Sequence, residues 1–152
     1  SGGREGVMSR SGYSEDCDNN WSLICWRGAV TSAIRGARGQ AFLKELAAAM
    51  DAMQDKRLTT DALQRGAEFC ALGVIGHARG MDISKIPTNE DDDSWGVLAK
   101  DFGISEALAR EIMYHNDDGI YVPWDERQKD HGAERWQYVR KWIDQNITKP
   151  KP

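Results

Sequence analysis

The chain has no apolar run approaching the ~20 residues needed to cross a bilayer, which argues against membrane insertion. Cysteine is scarce: Cys17, Cys25 and Cys70 are an odd number without the paired spacing of a zinc site. With no secretory signal carrying an apolar stretch, a reducing cytoplasm is expected. No complete catalytic motif, cofactor motif or metal motif is present, so neither catalysis, a cofactor nor a bound metal is expected. No fixed-period repeat occurs, and no run alternates apolar and polar residues long enough to demand a strand.

A basic field is also missing. Twenty Lys and Arg stand against 24 Asp and Glu, for a net charge of −4. Residues 1–80 hold ten basic and nine acidic side chains, whereas residues 81–152 hold ten and fifteen. Nucleic-acid binders usually offer a basic surface, because phosphate contacts supply most of the non-specific affinity. Only Arg27, Arg35, Arg38 and Lys44 gather into a local basic patch.

What is present fits one ordinary domain of 152 residues, 40% hydrophobic and 29% charged. Such a length buries about two-thirds of the surface of its unfolded chain, so no staple is required. Residues 1–7, before Met8, read as a tag or linker remnant; residues 8–147 form the domain and 148–152 a polar tail.

The patterning is helical. Leu23, Trp26, Val30 and Ala33 or Ile34 recur at spacings of three and four, with Asp18 or Asn19 placed to cap the start. A second helix from Arg38 or Gly39 to Met53 carries Leu43, Leu46, Ala47, Met50 and Met53, joined to the first over an RGARG turn. Thr59 or Thr60 is placed to cap a short helix ending at Gly66. Ala67 to Ala78 suits a tightly packed central helix, in which Ala71, Gly73 and Gly76 admit neighbouring backbones; a buried strand is the alternative. Gly80 to Asp93 reads as a loop with the acidic run Glu90 to Asp93. Short helices come next at Trp95 to Asp101 and Ser105 to His115, then a further turn within Pro123 to Asp130, and a final helix from Gly132 to Ile147. The expected fold is therefore an all-α, single-domain bundle of five to seven helices.

Leu98 to Gly119 supports two functions. Ala99, Gly103, Ile104, Leu108 and Ile112 have most of the spacing of a helix-turn-helix, which would present Ser105, Glu106, Ala109 and Arg110 to nucleic acid. The same residues also suit a core hairpin, and the acids ahead of it would repel phosphate. His115 to Gly119 misses the register of a calcium loop and reads as a helix end closed by Asn or Gly in a left-handed turn.

Three other constellations stand out. Arg27, Arg35, Arg38 and Gln40, with Gly36 and Gly39, form an anion- or partner-binding candidate at a helix start; the alternative is a solvated polar edge. Cys70 near a helix start, with His77, His115 or His131 as base, allows a cysteine-dependent enzyme, although a free cysteine on an apolar helix is more often a small core residue. Among six tryptophans, Trp136 belongs to a core stripe, while Trp124 and Trp142 suit either an exposed aromatic surface for a protein partner or, equally, the edge of the core.

The segments EFCALGVIG, MYHNDDG and ERWQYVRKWI, preceded by SGYSEDCDNNW and WRGAVTSAIRGARGQAFLKEL, resemble small phage and prophage proteins in their order. The resemblance covers most of the chain. It implies a bacterial cytoplasmic setting and an accessory role, with an unidentified host or phage protein as partner. It assigns no catalytic residue.

Overall fold

The computed structural model describes residues 20–60, 62–85 and 92–148. Within them the chain is an all-α bundle: α1 (Asn20–Arg35), α2 (Ala37–Asp51), α3 (Ala71–Ala78), α4 (Asp92–Phe102), α5 (Glu106–Asp118) and α6 (Gly132–Asn146). A small antiparallel hairpin, β1 (Gln64–Arg65) and β2 (Glu68–Phe69), precedes α3, with Gln64 opposite Phe69 and Arg65 opposite Glu68. Residues 1–19, the expected caps Asp18 and Asn19, and residues 149–152 lie outside the described residues, as do Glu90 and Asp91 of the acidic run.

The centre of the bundle is α5, which packs against α1, α3, α4 and α6. Besides Leu108, Ala109, Ile112 and Met113, its Arg110, Glu111 and Asn116 are buried, so the helix is covered on more than its apolar face. Around it, Leu43, Leu46 and Met50 of α2, Leu72 and Ile75 of α3 and Val139 and Ile143 of α6 close one continuous core. Each such side chain contributes about 1.5–3 kcal/mol when fully buried.

Polar clamps fix how the helices meet. Arg79, just after α3, grips Glu45 of α2 with two 2.7 Å hydrogen bonds and donates a third to the Phe102 carbonyl at the end of α4. Its guanidinium holds the Glu45 carboxyl below its ordinary range. Arg140 of α6 does the same for Asp51 at the end of α2, at 2.8 and 3.0 Å.

Three expected elements are corrected. The short helix from Thr59 or Thr60 to Gly66 is replaced by the hairpin, because Gly66 takes a positive φ of 64° and turns the chain back. The apolar stretch from Ala67 divides, its first residues pairing in β2 and the rest forming α3. RGARG is not a five-residue turn either: Gly36 alone separates α1 from α2. Gly39 makes that corner possible, since a Cβ there would strike the Ala33 carbonyl group.

Candidate functional site

The helix-turn-helix spacing folds as a real local hairpin. Gly103 adopts a φ of 72°, Ile104 donates to the Ala99 carbonyl at 3.0 Å, and Ser105 caps α5 by accepting from Leu108 N–H at 3.2 Å. Its second helix, α5, does not project from the surface as a recognition helix must. Arg110 is only 4% exposed, with its guanidinium 5.9 Å from the Trp26 ring and 5.4 Å from the Trp95 ring, and it pairs with Glu106 at 3.4 Å. Ala109 is buried beside it. Of the four residues expected to face nucleic acid, only Glu106 is exposed, and Ser105 is half-buried and occupied as a cap.

Nor does α5 end at His115 in a left-handed glycine. The helix runs on through Asp118, and Gly119 has a φ of −71°. The physical reason is Asn116, which is fully buried and serves as a polar hub. Its Oδ1 accepts from Ala71 N–H at 2.9 Å, and its Nδ2 donates to the Thr59 carbonyl at 2.9 Å and to Asp117 at 2.7 Å. One side chain thus satisfies backbone groups on both sides of the hairpin, which gives Asn116 a tertiary reason to be helical despite its modest propensity.

Cys70 shares that junction. It is the N-cap of α3, its sulfur accepting from Gly73 N–H at 3.4 Å and lying 3.7 Å from the Met113 sulfur. Burial pushes the thiol up to about 12, the reverse of what a nucleophile needs. The histidines are engaged elsewhere. His77 stacks on Phe69, and His131 bonds the Glu126 carbonyl at 2.8 Å. His115 lies 2.8 Å from the Tyr138 hydroxyl and 3.3 Å from Glu111. In native protein at neutral pH, Cys70 is expected to resist iodoacetamide while the exposed Cys25 reacts. Peptide mapping checks this, and labelling of Cys70 at the denatured-state rate would contradict it.

Gln40 and Trp142 also depart from their expected roles. Gln40 donates to the Ile34 carbonyl at 2.7 Å and the Asn146 carbonyl at 2.9 Å, and accepts from Thr148 N–H at 2.8 Å. Its amide therefore ties α1, α6 and the residues just past α6 together, which makes it a clamp rather than a binding group. Trp142 is 8% exposed, its ring stacked on His115 at 4.5 Å. It continues the buried α6 stripe of Val139 and Ile143 instead of joining an exposed aromatic surface.

Trp124 does stand on the surface, 81% exposed, with Arg127 over its ring at 5.0 Å. Tyr121, which no pattern in the sequence singles out, is 89% exposed in the same α5–α6 connection. Trp21 and Ile24 on α1 are 71% and 58% exposed. These two regions share an end of the bundle. Ser32 and Ala33 of α1 border Ser105 and Leu108 of α5, and Trp26 meets Arg110, so α1 runs antiparallel to α5 and begins where α5 ends.

Arg27, Arg35 and Arg38 are exposed. Arg38 lines a shallow cleft of about 190 Å³ with Ser32, Gly36 and Ser105, at the start of α2. A larger cleft of about 370 Å³ lies between α2 and α3 among Met53, Phe69, Val74 and His77. Among the described residues no group of three His, Cys, Asp or Glu is placed to hold a metal ion, and no helix is long and apolar enough to cross a membrane. Compared with protein-family models, curated proteins and solved structures, the chain finds no match.

Proposed function

We propose that this chain is a non-catalytic accessory protein of phage or prophage origin, which acts in the bacterial cytoplasm by binding a host or phage protein. The observation that carries the reading is the outward placement of Tyr121 and Trp124 on one connection. Aromatic side chains bury roughly 150–250 Å² each, so two held in water leave a large apolar area that a partner would cover. Tryptophan and tyrosine are also the residues that most often anchor protein interfaces. The alternative of a nucleic-acid regulator has less behind it, since Arg110 is held between two indole rings.

The test compares wild-type protein with Tyr121→Ala/Trp124→Ala as bait in bacterial lysate, quantifying captured proteins by mass spectrometry. Both side chains are exposed, so the variant is expected to keep the wild-type melting temperature and lose a specific prey. An unchanged prey set, or retention of duplex DNA alone, would overturn the reading.

A further inference from the structure

The first helix has a second face. Its core side carries Val30 and Ile34, with Trp26 and Ala33 partly buried. On the opposite side Trp21, Ile24, Cys25, Gly28, Ser32 and Arg35 recur at spacings of three and four, and all six are exposed. This stripe runs about 20 Å along the helix. It is apolar at its start and cationic at its end, where Arg35 is followed by Arg38 on the rim of the cleft shared with Ser32. Among the described residues nothing lies within 4 Å of where a Cβ on Gly28 would sit, so the middle of the stripe is open to close approach.

Charge decides what fits. Between Trp21 and Lys44 every charged residue is basic, namely Arg27, Arg35, Arg38 and Lys44, and the first acid is Glu45. A second copy of α1 laid on this face would add more cations and no acid to meet them. A partner that supplies carboxylates near Arg35 and Arg38, and apolar side chains toward Trp21 and Ile24, satisfies both ends. The low centre and the helical spacing of the contacts match a helix better than an extended strand.

We propose that the outer face of α1 docks an acidic amphipathic helix of a protein partner, about four turns long. This rests on the reading of the chain as a protein-binding module and adds the chemistry of what is bound. It uses residues other than Tyr121 and Trp124, so variants of the two surfaces distinguish its failure from that of the broader reading.

The probe is a displayed library of helix-forming peptides selected on the full chain, with the winners measured by fluorescence anisotropy. Winners are expected to be rich in Asp and Glu, with apolar residues at three- and four-residue spacing. Their affinity should fall about tenfold or more with Trp21→Ala/Ile24→Ala, as truncation of an aromatic anchor does. It should fall with Arg35→Glu and with added salt, and hold with Trp124→Ala. Winners without acidic bias would overturn the proposal. So would binding indifferent to the α1 variants, a dimer in sedimentation that Trp21→Ala dissolves, or stronger attachment to phosphatidylserine vesicles than to any peptide. Winners that lose binding with Trp124→Ala alone would overturn it while leaving the broader reading in place.

Discussion

Asn116→Ala is expected to lower the unfolding free energy by about 3–5 kcal/mol. The variant deletes the acceptor for Ala71 N–H and the donor to the Thr59 carbonyl, both at 2.9 Å and both reached from a fully buried side chain. Each backbone group stranded in the core costs about 1–3 kcal/mol, and the vacated space adds a smaller packing loss. Asn116→Asp separates the two halves of the effect. It keeps an acceptor for Ala71 but sets a second acceptor against the Thr59 carbonyl and Asp117, so it too is expected to destabilise at neutral pH. Urea midpoints by circular dichroism measure both variants. A loss under about 1 kcal/mol for Asn116→Ala, the size of a solvated hydrogen bond, would contradict the hub.

Gly73→Ala is expected to cost about 2–3 kcal/mol, the upper range of overpacking. The added Cβ would overlap the Leu63 carbonyl oxygen and come within 2.9 Å of its carbon and 3.2 Å of the Phe69 Cβ. Backbone cannot swing aside as a long side chain can, and the Leu63 carbonyl is already held by Cys70 N–H at 3.1 Å. Gly96 gives the internal comparison, since it also lies within a helix but, among the described residues, nothing stands within 4 Å of its Cβ position. There the same substitution should stabilise by about 0.5–1 kcal/mol through helix propensity alone. Equal effects at the two positions would remove the close approach of α3 to the hairpin as the reason for Gly73.

That close approach was legible in the sequence, where Ala71, Gly73 and Gly76 signalled a packed central segment. So were α1, α2 and α6, whose ends fall within a few residues of those expected, because apolar spacing of three and four is a local signal. The hairpin was not legible, since two residues per strand are too few to alternate. The extension of α5 through Asn116 was hidden for another reason: Asn and Asp usually mark a helix end, and only the contacts to Thr59 and Ala71, distant in sequence, reverse that preference.

The candidate surfaces divide the same way. Trp124, Arg35 and Arg38 stand on the surface, as residues outside the apolar stripes are expected to. Arg110 and Trp142 do not, because their burial depends on what crosses them. Trp26 and Trp95 enclose the first, and His115 receives the second. A helical wheel shows the face of a residue but not the neighbour opposite. Tyr121 carried no signal, since a lone tyrosine in a connecting segment looks alike whether it folds inward or out.

The central place of α5 has a consequence for how the chain acquires its shape during synthesis. Glu106 to Asp118 emerges late, yet α1, α3, α4 and α6 all rest on it. Until it leaves the ribosome, α1 lacks its main neighbour and the hairpin end of α3 has no Asn116 to receive it. α2 packs on α1 and α3 without it, but the apolar faces that meet α5 stay open until that segment follows. Contacts such as Ala71 with Asn116 and Trp26 with Arg110 span long stretches of sequence, and the loop closure they require slows folding.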